Sequence, residues 1–175
     1  MLPERCLRLQ KGILFAALRK AGEKDDAVAQ ANLAWCYQQG LGVKVDLAEA
    51  LQWYLKAANF GHAGARYNLG YMYANGIGAE RNYVEAASWY NRAAEQGHMK
   101  AQLNVGLLYA FGHGVEKSEE TAVDWYQKAA EQGYDKAQYN LALMYSGGFG
   151  VEQNDIAYIT ERSYTPWVGR LWSVA

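Results

Sequence analysis

A period of 36 residues constrains this chain more than any other feature. Trp53-Tyr54 returns as Trp89-Tyr90 and Trp125-Tyr126. Gly40-x-Gly42 returns as Gly76-x-Gly78, Gly112-x-Gly114 and Gly148-x-Gly150. Tyr37, Tyr73, Tyr109 and Tyr145 keep the same step. So do the alanine pairs at 57-58, 93-94 and 129-130, and Gly61, Gly97 and Gly133. Agreement in one register at so many positions marks stacked supersecondary repeats, each too small to bury its own apolar face. The 175 residues are 51 % apolar and 20 % charged, which excludes a disordered chain.

Each repeat reads as two helices. Within 63–75, Leu69, Met72 and Tyr73 stand three and four apart, the spacing of one helix face. Gly76 closes that helix. The second helix is predicted over about Tyr83–Gln96, with Ala86, Trp89, Tyr90, Ala93 and Ala94 on its buried side and Gly97 at its end. Cap chemistry precedes it in every repeat: Asp46 with Glu49, Asn82 with Glu85, Ser118, and Asn154. The alanine pairs let neighbouring helices approach, and the tryptophans fill the gaps between repeats. Trp89, flanked on both sides, is expected to matter more to stability than Trp53, nearer an end. Residues 1–26 read as an N-terminal capping helix or degenerate half repeat, because Lys20 and Ala21 fall one period before Lys56 and Ala57. The array then covers 27–154, as three full repeats and a partial fourth.

Charge and cysteine usage narrow the partners. A formal net charge of −1 argues against nucleic acid, which calls for a basic face. Two cysteines are too few for a disulfide scaffold. No apolar run approaches the roughly 18 residues of a transmembrane helix. The apolar run Ile13–Leu18 is short for a signal peptide, and Arg19 and Lys20 follow where a small-residue cleavage site should stand. The expected location is cytoplasmic as the chain is written, and periplasmic or secreted if an export signal has been removed.

Candidate chemistry is sparse. His62 and His98 are repeat equivalents just after a closing glycine, where a polar surface residue belongs. Stacking sets them roughly 8–10 Å or more apart, too far to share one metal ion at about 2.0–2.1 Å. His113 fills a Gly-His-Gly turn. Cys36 aligns with Met72, Leu108 and Met144, so it reads as a small core hydrophobe, and Cys6 carries no signal. The Gly-x-Gly turns follow no strand and lack the Gly-Lys-Ser/Thr ending of a phosphate loop. Glu119-Glu120 suits the first turn of a helix. No catalytic residue, metal site or cofactor is expected, and the chain reads as a non-enzyme.

The motif carried by Ala65, Leu69-Gly70, Tyr73, Gly76 and Gly78, then Ala86, Trp89-Tyr90, Ala93-Ala94 and Gly97, resembles the Sel1-like repeat, a relative of the tetratricopeptide repeat. Ala34 and Ala142 replace its glycine and Ala79 its valine. The resemblance implies an all-α fold, a right-handed α-solenoid of stacked antiparallel helix pairs. It also implies a scaffold or adaptor that binds proteins or peptides without chemistry of its own. The alternative is an inhibitor or immunity-type regulator that blocks a partner enzyme. One bacterial branch of such proteins carries a cysteine pair in each repeat, and this chain does not.

By analogy with the tetratricopeptide repeat, the first helices line a concave groove. The resemblance assigns to it Val28, Ala31, Trp35, Tyr67, Tyr71, Lys100, Leu103, Leu107, Ala110, Phe111, Lys136, Tyr139 and Leu143. The first helices carry charge only at Arg66, Lys100, Asp135 and Lys136, whereas the second helices carry far more. An aromatic groove of this kind suits a peptide with apolar anchors. Asn32, Asn68, Asn104 and Asn140 repeat strictly and are expected to make structural hydrogen bonds. Recognition of a C-terminal carboxylate is doubtful, because Ala31 and Trp35 stand where the analogous clamp needs Lys and Asn.

The pattern breaks after Asn154. Glu161-Arg162 stand where a Trp-Tyr pair is due, and Thr165-Pro166 where alanines are due. Ile156, Tyr158 and Ile159, then Trp167, Val168, Leu171 and Trp172, supply apolar material for a cap over the last repeat or for a homodimer contact. A foreign ending is the alternative reading of 155–175.

Overall fold

The computed structural model describes residues 4–150, with side chains from Gln10 onward. The expectations for Asn154 and the tail lie outside the described residues. Among these there are eight helices and no strand. In chain order they are α1 (Glu4–Gly22), α2 (Ala27–Gln39), α3 (Leu47–Asn59), α4 (Ala63–Asn75), α5 (Tyr83–Ala94), α6 (Met99–Phe111), α7 (Glu119–Glu131) and α8 (Asp135–Gly147). The even-numbered helices are the first helices of the repeats and keep one register throughout.

The chain divides into two compact bodies, Met1–Ala101 and Gln102–Ala175. In the first, α1 packs on α2, α2 on α3, α3 on α4 and α4 on α5. Leu33, Leu51, Trp53, Tyr54, Leu69, Met72 and Trp89 form its core around the closely approaching alanines, with Phe15 and Leu18 of α1 packed against it. Phe15 meets Tyr37 edge-on, centroids 5.3 Å apart. In the second body α7 packs on α8 over Leu103, Val123, Tyr126 and Leu141.

Repeated hydrogen bonds fix the repeat from within. The amides of Asp46, Asn82 and Ser118 donate to the carbonyls of Tyr37, Tyr73 and Tyr109 at 3.0, 2.9 and 3.0 Å, closing the loop between the paired helices. The side chains of the same three residues then accept from the first turn of α3, α5 and α7. Fourth-position side chains on the first helices reach back to the end of the preceding helix. Gln30 Nε2 donates to Gly22 O (3.0 Å), Arg66 Nε to Ala58 O (3.1 Å) and Gln138 Nε2 to Ala130 O (3.3 Å). Two residue types do one job, which satisfies carbonyls a helix end leaves unpaired.

The second glycine of the inter-helix turn sets the stacking. A side chain at Gly42 would strike the backbone of Lys11, one at Gly78 that of Leu47, and one at Gly150 that of Glu119. These three turns thus rest on the second helix of the repeat before them, or on α1 standing in its place.

Two expectations change. The second helix of the middle repeat ends at Ala94 rather than near Gln96, because Gln96 and Gly97 donate only three residues back, to Ala93 and Ala94. Trp53 is as buried as Trp89, 8 % against 9 % exposed. A Cβ at Gly22 would stand 3.3 Å from the Trp53 ring, so α1 covers this tryptophan as a full repeat would. A basic side chain also lies over each tryptophan of the second helices: Lys56 Nζ 3.9 Å from the Trp53 ring centre, Arg92 Cζ 4.8 Å from that of Trp89, Lys128 Nζ 4.1 Å from that of Trp125. At three residues' spacing the cation stem shields the ring while its charge stays wet.

Candidate functional site

The first helices each turn one stripe outward. On α2 it is Val28, Asn32, Trp35 and Gln39, on α4 Tyr71 and Asn75, and on α8 Lys136 and Leu143. Trp35, Tyr71, Leu107 and Leu143 share one register position, and all but the half-buried Leu107 are exposed. Trp35 keeps half its surface open (50 %), far more than a core indole would. Lys100 is exposed at the start of α6 and Phe111 at its end, where Phe111 stacks near His113 with centroids 5.9 Å apart.

Another register position does not belong to the stripe. Leu103 is buried, 7 % exposed, in the core of the second body with Tyr126, so it offers nothing to a ligand. Ala31, its equivalent two repeats earlier, is buried as well. Tyr67 is half-buried, lying 5.8 Å from the Tyr90 ring of its own repeat's second helix. In these three repeats the position faces inward rather than outward. Tyr139 shares the register and is exposed, but the segment that one period would bring against it, around residue 162, lies outside the described residues.

Polar residues on the first helices are engaged in structure. Asn68 hydrogen-bonds to the Tyr54 hydroxyl, which itself donates to Gln38 Oε1 at 3.1 Å. Burial, opposed in part by Asn68, pushes the Tyr54 hydroxyl up to about 12. Asn32 is exposed, and Leu18 stands where a tyrosine would be one period before Tyr54. His62 and His98 do more than sit on the surface. Each is an N-cap: His62 Nδ1 accepts from Ala65 N (3.0 Å) and His98 Nδ1 from Ala101 N (3.2 Å). The signal was legible, because Asp26 holds the same register and caps α2 through its carboxylate. Cys36 is buried, and burial pushes its thiol up, away from reactivity.

Most exposed charge lies on or beside the second helices, with Lys100, Asp135 and Lys136 exposed on the first. Glu85, Arg92, Glu95, Asp124, Lys128 and Glu131 on the second helices are exposed, whereas Arg66 is tied to the Ala58 carbonyl. Among the described residues no three His, Cys, Asp or Glu side chains converge to hold a metal ion. No helix there is long and apolar enough to cross a membrane.

Stacked helix pairs with one repeated register define an all-α repeat solenoid. The chain belongs to the Sel1 repeat family, whose profile matches residues 27–62, 63–98, 100–134 and 135–157. Solved structures agree. A Sel1 repeat protein from Oxalobacter formigenes is 39 % identical with a TM-score of 0.78, over 86 % of this chain and 63 % of that one. A protective antigen of uropathogenic Escherichia coli displaying an SLR fold is 38 % identical with a TM-score of 0.77, over 78 % of this chain and 29 % of that one. Helicobacter pylori cysteine rich protein B is 25 % identical with a TM-score of 0.57, over 70 % of this chain and 93 % of that one. The chain therefore spans under two thirds of the first two of these proteins. No curated protein sequence matches it. Sel1 repeats generally serve as protein–protein interaction scaffolds and are a non-catalytic repeat fold.

Proposed function

We propose that this chain is an adaptor that binds a protein segment along the exposed stripe of its first helices, with Trp35 and Tyr71 as anchors in the first body. The second body has an exposed stripe of its own at Lys136 and Leu143, and α1 acts as the half repeat that closes the first body. The observation that carries this reading is the exposure of Trp35 and Tyr71 at one register position, while charge lies on the second helices. A large ring kept partly open by a rigid helix gives contact area at little ordering cost, which is how interface anchors act. An uncharged stripe on α2 favours a segment with apolar anchors and makes binding insensitive to salt.

The test is selection of peptides from a displayed random library on the full chain, followed by affinity measurement on variants. Trp35→Ala with Tyr71→Ala should weaken the selected peptides at least tenfold with helicity unchanged, each anchor contributing more than about 1 kcal/mol. Glu95→Lys with Glu131→Lys on the second helices should leave affinity unchanged. The reverse pattern places the site on the other helices and ends this reading.

A further inference from the structure

We infer that His98 is an acid-sensitive latch: its neutral imidazole caps α6 and covers Tyr67 at once, and protonation opens both contacts. The inference rests on the fold and not on the binding reading above. The Ala101 amide donates both to the His98 carbonyl at 2.9 Å and to His98 Nδ1 at 3.2 Å, so this nitrogen must carry no proton, and turning the ring away leaves the amide one acceptor instead of two. The same ring stacks on Tyr67 of α4, with centroids 4.7 Å apart and planes 22° from parallel. One imidazole therefore joins the start of α6 to the middle of α4.

A second proton meets more opposition than support. Placed on Nδ1, it would face the Ala101 N–H, donor against donor. It would also put positive charge at the positive end of the α6 dipole. The charged and titratable groups facing His98 are Lys100 of α6, His62 at the cap of α4, and Tyr67; beyond Tyr67 comes Tyr90 of α5, with centroids 5.8 Å from it. None is a carboxylate that could hold the cation. Burial first, then Lys100 and more weakly His62, hold His98 below its usual range, against the opposing pull of its own backbone. An imidazolium gains something from the face of a tyrosine, but keeping that stack keeps the donor clash. The ring has to turn out, which uncaps α6 and uncovers Tyr67.

The sign follows. His98 titrates below its unfolded value of about 6.5, so the stability it contributes is present above that pH and is lost as pH falls through the folded value. Asp26, at the same register in the first repeat, caps α2 through a carboxylate instead of an imidazole.

Two measurements on the full chain decide it. In an NMR titration from about pH 8 to about pH 5, His98 should titrate below about 6.5, and Ala101 amide exchange should accelerate with the same midpoint. His98→Asn keeps a cap acceptor that does not titrate. Between these pH limits the parent should lose about 2–4 °C more in Tm than this variant. Parallel melting curves, or an Ala101 amide indifferent to pH, overturn the inference. If His98→Asn does not fold, the titration of the parent decides alone.

Discussion

Gly78 offers the sharpest test of how the repeats stack, because Gly61 supplies its control. Both hold left-handed backbone, φ +72° and +84°. An alanine there costs about 1–2 kcal/mol for the backbone conformation alone. Around Gly61 no atom lies within 4 Å of where a Cβ would stand, so Gly61→Ala should cost only that. At Gly78 the Cβ would overlap the carbonyl oxygen of Leu47, 2.9 Å from its carbon and 3.1 Å from Met72 Cε. The methionine end can swing aside. The Leu47 carbonyl belongs to the first turn of α3 and cannot move without parting the two repeats. Overpacking of that kind adds about 1–3 kcal/mol, so Gly78→Ala should cost about 2–5 kcal/mol in all. Urea titration followed by far-ultraviolet circular dichroism reads both, with the m-value checked because repeat arrays can lose cooperativity. Equal losses from the two substitutions would refute the reasoning, since the turn glycine would then serve its own dihedral and not the stacking.

Other outcomes follow from the burial of the aromatics. Trp53→Ala and Trp89→Ala should each cost about 3–5 kcal/mol, with no advantage for the middle repeat, and Trp125→Ala less because that ring is only half-buried; a denaturant series on the three variants checks the order. At alkaline pH the buried hydroxyls of Tyr54 and Tyr126, pushed up to about 12 by burial, stay protonated while the unfolded chain ionises near 10. The stability they contribute is therefore complete below pH 10 and lost as pH rises towards about 12. Tyrosinate absorbance should show these two rings ionising late in the folded chain, and late ionisation absent there contradicts their burial.

The helix pairs were legible because each position is written several times. First-helix boundaries 27–39, 63–75, 99–111 and 135–147 follow from the glycine period and are the observed ones. Asp46, Asn82 and Ser118 announce themselves as caps by residue type. His62 and His98 do not, since imidazole is a rare cap, and only their alignment with Asp26 could have revealed it. Leu103 failed for a different reason. Counting along a related repeat fixes a position's number but not its helix's rotation, and a few tens of degrees separate an outward side chain from one aimed at Tyr126. That partner lies 23 residues away, beyond the reach of local pattern.

Repetition explains why the fold was easier to read than the site. Position Tyr37 is tyrosine in all four copies, because in each the ring packs against the core of its body. The outward position reads Trp35, Tyr71, Leu107, Leu143, and the one a turn pair earlier reads Val28, Gly64, Lys100, Lys136. Trp35, Tyr71 and Leu143 are exposed, so burial does not fix their identities, and under the proposed function their differences answer to the bound segment. A buried position repeats because its neighbours repeat; an exposed one is free to match a ligand that does not. Under the proposed function, the part of this sequence that breaks its own period on the exposed face of the first helices is the part that carries its specificity.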